Sequence, residues 1–406
     1  MIEVVLKVYR AALLGRLRRL LDRHWNPYQP LPKDTYLSPS LGISEALAAA
    51  PRAMGFDSQA SEDPAAWQSR ARKKLIELTG YTENRDQPQI TTEIPAEEVD
   101  PGLLKRSFYL RVRPATDLPV HLIFREGLSA PAPVFLHLAG STSGVHLAWG
   151  STRVPIDHQR VTIGADMARQ AAERGYLAVA IEQAGYGERT EFHLPKRSSN
   201  RTIDTANHLL LLGRTLMGDG ASDMSSAVDW LLGSHCPFEV LPNRIFLFGH
   251  SAGGTLAQFA AALDTRIAGI LASGSVGPIC ETLAARGAGG GDGIVPGLLN
   301  YFDTADLIAL VAPRPFVGLS GKSDHIYPYN GVEQVITEAA EFYRLMGAES
   351  SIRAVAVNGP HQYHPLDSWR AWHKWIDLWP TSQVASDRAP QAARNPPSTG
   401  SSTPVI

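Results

Sequence analysis

From residue 106 onward the chain alternates between short apolar runs and longer segments whose apolar residues recur with helical spacing. The first two runs flank a turn and predict an antiparallel hairpin. The later runs are mostly separated by helical segments, which is typical of strand–helix–strand units and of a parallel sheet covered on both faces. We therefore predict an α/β fold with a mostly parallel eight-stranded sheet and helices on both faces. The strands are expected at 108–112, 120–124, 134–138, 177–181, 245–248, 267–272, 315–319 and 352–357, and the helices include 163–174, 207–232, 332–345 and 369–378.

The two ends of the chain differ from this middle region. Residues 1–24 mix basic and apolar side chains and predict a helix, and residues 43–80 look helical again. We assign 1–104 to an N-terminal helical accessory segment, 105–380 to the α/β domain, and 381–406, rich in Ser, Ala and Pro, to a disordered tail. The first helix is expected to dock on the domain or on a second subunit, giving a homo-oligomer. A membrane-surface helix is the alternative, but basic and apolar positions do not separate onto two faces.

The composition limits the partners of this protein. Of the 406 residues, 44% are hydrophobic and 19% are charged, and the net charge of -2 indicates no nucleic-acid partner. The two cysteines, Cys236 and Cys280, cannot form a disulfide framework and fit a reducing compartment. Basic residues interrupt the apolar positions near the first residue, so no signal-peptide core is visible, and no stretch approaches the ~20 apolar residues of a membrane span. We expect a cytoplasmic protein with no membrane span.

One apolar run ends in a glycine-flanked serine, Gly249-His250-Ser251-Ala252-Gly253. β-forming residues precede it and a helix-compatible segment follows it. This is the context of the nucleophile elbow, a tight strand-to-helix turn that exposes a serine hydroxyl. Glycine before and after the serine lets the strand and helix approach where a Cβ would clash. We predict Ser251 as a nucleophile, with a surface Gly-Ser turn as the alternative.

A serine hydroxyl needs a base to remove its proton and a third group to orient that base. In open α/β sheets, ligands bind at the carboxyl ends of the strands, so these groups should follow strands. Asp324 follows a strand that runs into a glycine-containing turn, and we predict it as the orienting acid. Asp303, Asp306 and Glu188 are the alternatives, although Asp303 and Asp306 fit helix capping better.

Two histidines follow the last predicted strand. We predict His361, which is closer to the strand end, as the base. His364, which precedes Pro365 and the last helix, is the alternative base. The pair could also bind a metal ion, but no cysteine or acidic cluster supplies the other ligands. We predict neither a metal nor an organic cofactor.

Acyl transfer also needs hydrogen-bond donors for the oxyanion of the tetrahedral intermediate. The elbow would supply the backbone N–H of Ala252. The second donor should come from the small-residue loop 139–144, which follows the strand at 134–138, and we predict the backbone N–H of Ser141.

Several further segments have the character of sequence motifs. They are Glu182-Gln183-Ala184-Gly185-Tyr186-Gly187-Glu188-Arg189, Val295-Pro296-Gly297, Leu310-Val311-Ala312-Pro313-Arg314-Pro315 and Pro360-His361-Gln362-Tyr363. With the elbow, these motifs resemble those of α/β-hydrolases, and within them the dienelactone-hydrolase and acetyl-xylan-esterase-like branch. The resemblance spans about 105–380 and implies a catalytic triad of Ser251, Asp324 and His361, in the chain order of that fold. Glucuronoyl esterases carry a basic residue after the elbow serine, so Ala252 argues against that activity. The cap-like stretch 190–220 is expected to shape substrate choice.

Together these residues predict a serine hydrolase that cleaves a small-molecule carboxylic ester, of acetyl-ester or carbohydrate-ester type, through an acyl-enzyme intermediate. A serine peptidase resembling the prolyl-oligopeptidase group is one alternative, and the lack of propeller-like repeats counts against it. A catalytically inactive binding protein on the same fold is another. The presence of serine, aspartate and histidine at the expected places counts against that alternative.

Overall fold

The structure is a computed structural model, and it describes residues 39–56, 62–83, 86–191, 201–284 and 293–377. The predicted helix at 1–24, with the homo-oligomer expected through it, and the predicted tail at 381–406 lie outside the described residues. The chain divides into two compact units, Met1–Ala49 and Ala50–Ile406. In the first unit, helix α1 spans Ser40–Ala48.

A mostly parallel sheet forms the centre of the second unit, and it has nine strands among the described residues. The strands are β1 Gln89–Asp100, β2 Leu103–Arg113, β3 Thr116–Arg125, β4 Ala132–Leu138, β5 Leu177–Ile181, β6 Val240–His250, β7 Gly269–Ser273, β8 Phe316–Gly321 and β9 Ile352–Val357. Their order in the sheet is β1-β2-β3-β5-β4-β6-β7-β8-β9. The β1–β2, β2–β3 and β3–β5 pairs are antiparallel, and all other pairs are parallel. The predicted α/β fold and hairpin are confirmed.

Strand β1 is the main difference from the sequence prediction, which counted eight strands and described 1–104 as helical. β1 lies at the sheet edge and is mostly exposed, so it has no continuous apolar run that a hydrophobic pattern could reveal. Its backbone groups pair antiparallel with β2, and this pairing decides its conformation. The predicted boundary after residue 104 therefore falls just inside β2, separating β1 from its hairpin partner.

Helices cover both faces of the sheet, as predicted. The helices of the second unit are α2 Pro64–Thr79, α3 Pro155–Thr162, α4 Met167–Glu173, α5 Arg201–Leu211, α6 Leu216–Leu231, α7 Ala252–Leu263, α8 Thr304–Ala309, α9 Tyr329–Leu345 and α10 Pro365–Ala371. One face of the sheet is buried against α2, α6, α7, α8 and α9, and the other against α4, α10 and the π-helical segment Trp372–Ile376.

Two predicted helices differ from the helices observed. The helix expected at 163–174 begins later, as α4 at Met167, because Gly164 at φ +93° separates it from α3, a helix that the sequence did not predict. The helix expected at 207–232 appears as α5 and α6, with Gly213 at φ +70° between them. Thr215 then starts α6 by accepting a hydrogen bond from Gly218 N–H. Apolar spacing continues across Gly213, which is why the sequence pattern did not separate α5 from α6.

The described residues include no helix that is both long enough and apolar enough to cross a membrane.

Candidate active site

Ser251 lies at a sharp turn between β6, which ends at His250, and α7, which begins at Ala252. Its backbone has φ +51° and ψ −123°, a region that residues other than glycine rarely adopt. The neighbouring glycines make the turn possible, because a Cβ on Gly249 would lie 2.3 Å from the carbonyl oxygen of Gly253. This is the strained strand-to-helix geometry of a nucleophile elbow.

Ser251, His361 and Asp324 form one hydrogen-bonded chain. The Ser251 hydroxyl donates to Nε2 of His361 at 3.0 Å, and Nδ1–H of His361 donates to Oδ2 of Asp324 at 2.8 Å. Asp324 follows β8 and His361 follows β9, and these strands are neighbours on the β7 side of the elbow strand. The topology thus brings together three side chains that are far apart in sequence.

The carboxylate of Asp324 is held by donors on both of its oxygens. Burial opposes its charge, but the His361 hydrogen bond and the backbone N–H groups of Tyr327 and Ile326 outweigh burial and hold the pKa of Asp324 below its usual range. Ser320 Oγ–H also donates to Oδ2 at 3.3 Å. The carboxylate is therefore ionised at neutral pH and fixed in orientation, as a group that orients an imidazole must be.

Two aromatic rings that the sequence did not point to stack on the His361 imidazole. The ring of His250 stacks at 5.2 Å and that of Tyr327 at 6.1 Å, each inclined by 28°. His250 also packs against Tyr363 at 4.1 Å. Burial, with the neighbouring His361, lowers the pKa of His250 to about 3, so its ring is neutral at physiological pH. The signal in the sequence that could have pointed to His250 is its position directly before the elbow serine.

The alternative base, His364, is held elsewhere. Its Nε2–H donates to the carbonyl oxygen of Pro360 at 3.1 Å, and its ring packs closely against Gly359. The structure therefore brings His361, not His364, to the serine.

The alternative acids also have other partners. Asp303 caps α8 in a reciprocal arrangement with Asp306. Asp306 also pairs with Arg52 at 2.9 Å. Glu188 accepts a hydrogen bond from Tyr109 at 3.1 Å. Of the four candidate acids, the structure brings only Asp324 to His361.

The loop after β4 lies directly beside the elbow. A Cβ on Gly140 would lie 3.2 Å from the Cβ of Ser251, and a Cβ on Gly253 would lie 2.3 Å from the carbonyl oxygen of Ala139. Ser141 is the next residue in this loop. Ala252, the other predicted donor, is the first residue of α7, where backbone N–H groups have no partner within the helix. Both predicted oxyanion donors therefore belong to segments that meet at the elbow.

A second serine–histidine–aspartate cluster holds the far end of the same loop. Asp157 accepts hydrogen bonds from Ser143 Oγ–H, from His146 Nε2–H at 2.9 Å, and from the backbone N–H groups of Arg153 and Val154. Burial opposes its charge, but these hydrogen bonds lower the pKa of Asp157 well below its usual range. Because Ser143 donates directly to the carboxylate, the histidine does not activate it. The cluster anchors the loop.

No described group of three or more His, Cys, Asp or Glu side chains has an arrangement that could hold a metal ion.

A serine at such an elbow, joined to a histidine and an aspartate that follow neighbouring strands of this sheet, is the arrangement of an α/β-hydrolase. The chain belongs to the Abhydrolase family, whose sequence profile matches residues 33–341. The predicted resemblance to α/β-hydrolases is thereby confirmed.

Similar proteins agree with this family. A Bacillus subtilis (strain 168) protein named as a hydrolase, YtaP, is 29% identical over 199 residues, covering 46% of this chain and 60% of YtaP. A Bacteroides fragilis NCTC 9343 protein named as an acetyl xylan esterase superposes with a TM-score of 0.63 at 18% identity, covering 82% of this chain and 87% of that one. The glucuronoyl esterase from Solibacter usitatus gives 0.58 at 18% identity, covering 83% and 98%. At such identities the two structures show a shared fold.

Proposed function

We propose that this protein is a serine hydrolase that cleaves a carboxylic ester through an acyl-enzyme intermediate. The observation that carries the proposal is the hydrogen-bonded chain Ser251–His361–Asp324 at the carboxyl ends of β6, β8 and β9. A serine is a useful nucleophile only when a base of this kind is within hydrogen-bond reach.

In the first half of the reaction, Ser251 Oγ forms a bond to the ester carbonyl carbon while its proton moves to Nε2 of His361. The carbonyl electron pair becomes an oxyanion. As the tetrahedral intermediate collapses, the bond to the alcohol oxygen breaks, and the leaving alcohol takes the proton from His361. Water then repeats the sequence on the acyl-enzyme and releases the acid and Ser251.

Asp324 keeps Nδ1 of His361 protonated, so that Nε2 is free to accept the serine proton. Its lowered pKa supports this role, because the carboxylate stays charged and stabilises the imidazolium that forms. Asp324 itself gains no proton in either step.

The oxyanion would be bound by the backbone N–H groups of Ala252 and Ser141. The packing of the β4 loop against the elbow supports this pairing, since Gly140 lies against Ser251. Losing one such donor typically costs about 3 kcal/mol of transition-state stabilisation.

Acetyl esters, including acetylated carbohydrates, are the substrate class to examine first, because one structural neighbour is named as an acetyl xylan esterase. The residue after the elbow serine, Ala252, carries no positive charge, and this counts against a glucuronoyl ester as the substrate. Thr255, one helical turn after Ser251, and Tyr327, which packs on His361, line the same small cavity.

The test is turnover of p-nitrophenyl acetate, acetylated xylan and a dipeptide p-nitroanilide by the wild type and by Ser251→Ala. We expect ester hydrolysis by the wild type, and a loss of at least a thousandfold in kcat for the alanine variant. Ester hydrolysis retained by Ser251→Ala would refute the nucleophile assignment. Faster cleavage of the amide than of the esters would favour the peptidase alternative, and no turnover of any substrate would favour a binding protein.

A further inference from the structure

Glu182, the residue directly after β5, is a buried carboxylate that the proposed reaction does not use. Its side chain lies against two glycines of separate segments, Gly144 and Gly187, and the residue is 3% exposed. A Cβ on Gly187 would lie 1.8 Å from Oε2 of Glu182, and one on Gly144 would lie 3.1 Å from it. Both glycines have positive φ, +45° and +153°, so the backbone is shaped closely around this carboxylate.

The Glu182 carboxylate joins the two segments that enclose it. Its Oε2 accepts the backbone N–H of Val145 at 3.0 Å, at the start of the 3₁₀ helix Val145–Trp149 that directly follows the loop 139–144. The same oxygen accepts the backbone N–H of Glu188 at 3.3 Å, in the 3₁₀ turn Gly187–Arg189. Hydrogen bonds of this kind are stronger when the acceptor is ionised.

Two further contacts attach the segment after β5 to the same loop. Gln183 Nε2–H donates to the carbonyl oxygen of Ala139 at 2.6 Å. The hydroxyls of Tyr186 and Ser141 lie 3.2 Å apart. The segment therefore contacts the loop before, at and after the residue that we propose as the second oxyanion donor. Of these three contacts, only the hydrogen bond from Val145 N–H to Glu182 has a strength that depends on whether its acceptor is ionised.

Among the described residues, no charged side chain forms a direct ion pair with the Glu182 carboxylate. Arg189 Nη1 donates to the backbone oxygen of Glu182 at 3.1 Å and to Oδ2 of Asp223 at 2.7 Å. The Glu188 carboxylate opposes ionisation of Glu182 and the Arg189 cation favours it. On the loop side, Nδ1 of His146 and Oε2 of Glu182 are both close to Gly144. Burial is the largest effect and raises the pKa of Glu182 to about 7.

We propose that Glu182, in its ionised form, is a positioning residue for the oxyanion loop, holding Ser141 N–H where the tetrahedral intermediate forms. This inference rests on the proposed function. An oxyanion donor must lie within hydrogen-bond distance of the transition-state oxygen, and a displacement of about 1 Å can cost about a hundredfold in rate. Protonation of Glu182 weakens the attachment at Val145, so kcat rises as Glu182 ionises.

The experiment measures kcat and KM for p-nitrophenyl acetate from pH 5 to pH 9 with the wild type, E182Q and E188Q. Gln keeps the shape of Glu182 and one accepting oxygen but cannot ionise. We expect E182Q to lose about tenfold in kcat at pH 8 with KM within twofold, since the interaction acts in the transition state. The plot of kcat against pH for E182Q should show one ionisation fewer than the plot for the wild type.

Glu188→Gln is the matched control, because it removes the neighbouring charge and leaves the Glu188 backbone N–H in place. We expect kcat at pH 8 to stay within twofold of the wild type. The extra ionisation should move to lower pH, because the charge that opposes ionisation of Glu182 is gone. Infrared difference spectra of the wild type should show a carboxylic-acid carbonyl band at pH 6 that is lost by pH 8, and E182Q should lack this change.

The outcomes separate this inference from the proposed function. Wild-type kcat and pH profile in a folded E182Q would overturn the role of Glu182 while leaving the Ser251 mechanism standing. If E182Q fails to fold, the wild-type protein alone tests the inference. A wild-type kcat–pH profile without the ionisation assigned to Glu182, or a wild-type infrared spectrum without the carboxylic-acid band at pH 6, would also overturn the role of Glu182. Absence of wild-type ester turnover, or turnover retained by Ser251→Ala, would instead refute the proposed function.

Discussion

Replacing Glu182 with Gln should stabilise the protein at mildly alkaline pH, although it lowers activity. Glu182 is 3% exposed, and burial raises its pKa from the ordinary 4.5 to about 7. A raised carboxyl pKa means that the folded protein binds this proton more tightly than the unfolded chain does. The contribution of Glu182 to stability is therefore full below about pH 4.5 and is lost progressively as pH rises through about 7.

The size of the effect follows from the two pKa values. The difference, 7 minus 4.5, is about 2.5, and at about 1.36 kcal/mol for each pKa unit it corresponds to about 3 kcal/mol of unfolding free energy. Domains are typically stable by about 5–15 kcal/mol, so a change of this size is easily measured. The glutamine side chain of E182Q cannot ionise, so this variant should not lose that unfolding free energy as the pH rises. At pH 8 it should be more stable than the wild type by up to about 3 kcal/mol, and at pH 5 nearly equal to it.

Urea unfolding followed by tryptophan fluorescence at pH 5 and pH 8 measures this difference. Other groups titrate in both proteins, so the informative quantity is the wild-type free energy minus that of E182Q at each pH. E188Q serves as the control and should retain most of the pH dependence. A difference between wild type and E182Q that does not change with pH would refute the burial argument. A less stable E182Q at pH 8 would show that the charge of Glu182 stabilises the fold.

Three further predictions concern the elbow and its partners. Asp324→Asn should lower kcat for p-nitrophenyl acetate by about 10³–10⁴-fold with little change in KM, because the asparagine no longer holds the reactive tautomer of His361; a loss below tenfold would contradict this. His361→Ala should lose more than a thousandfold in kcat, whereas His364→Ala should keep kcat within about tenfold and show a lower melting temperature; the reverse pattern would make His364 the base. Gly253→Ala should destabilise the protein by about 1–3 kcal/mol in urea unfolding, since its Cβ would lie 2.2 Å from the carbonyl oxygen of Leu138; an unchanged midpoint would contradict the close packing.

Much of the fold could be predicted because most strands are buried on both faces. Strands such as β5 and β7 consist entirely of buried residues, and their apolar runs are visible without any tertiary information. β1 could not be found in this way, because an exposed edge strand is defined by the backbone of its neighbour and not by its own side chains. The break between α5 and α6 was missed for another reason, since Gly213 changes the chain direction without interrupting the apolar pattern.

The candidate site was predictable to the extent that strand ends mark it. Ser251 has a local signature, and Asp324 and His361 each follow a strand. The choice between His361 and His364 was a preference from position, because both follow the same strand, and only the path of the loop shows which ring reaches Ser251. The roles of the three residues in catalysis stay predictions that the variants above test.

By itself, the sequence determined the α/β class, the strand that carries the serine and the turn that exposes it, because burial and backbone sterics act over short stretches of chain. Tertiary structure alone decided what surrounds those residues. The state of Glu182 depends on Gly144, Val145 and Gly187, which lie on two separate segments, and no pattern around residue 182 reveals their approach. Charge and hydrogen bonding in a buried site are properties of the assembled neighbourhood, so they appear only once the segments meet.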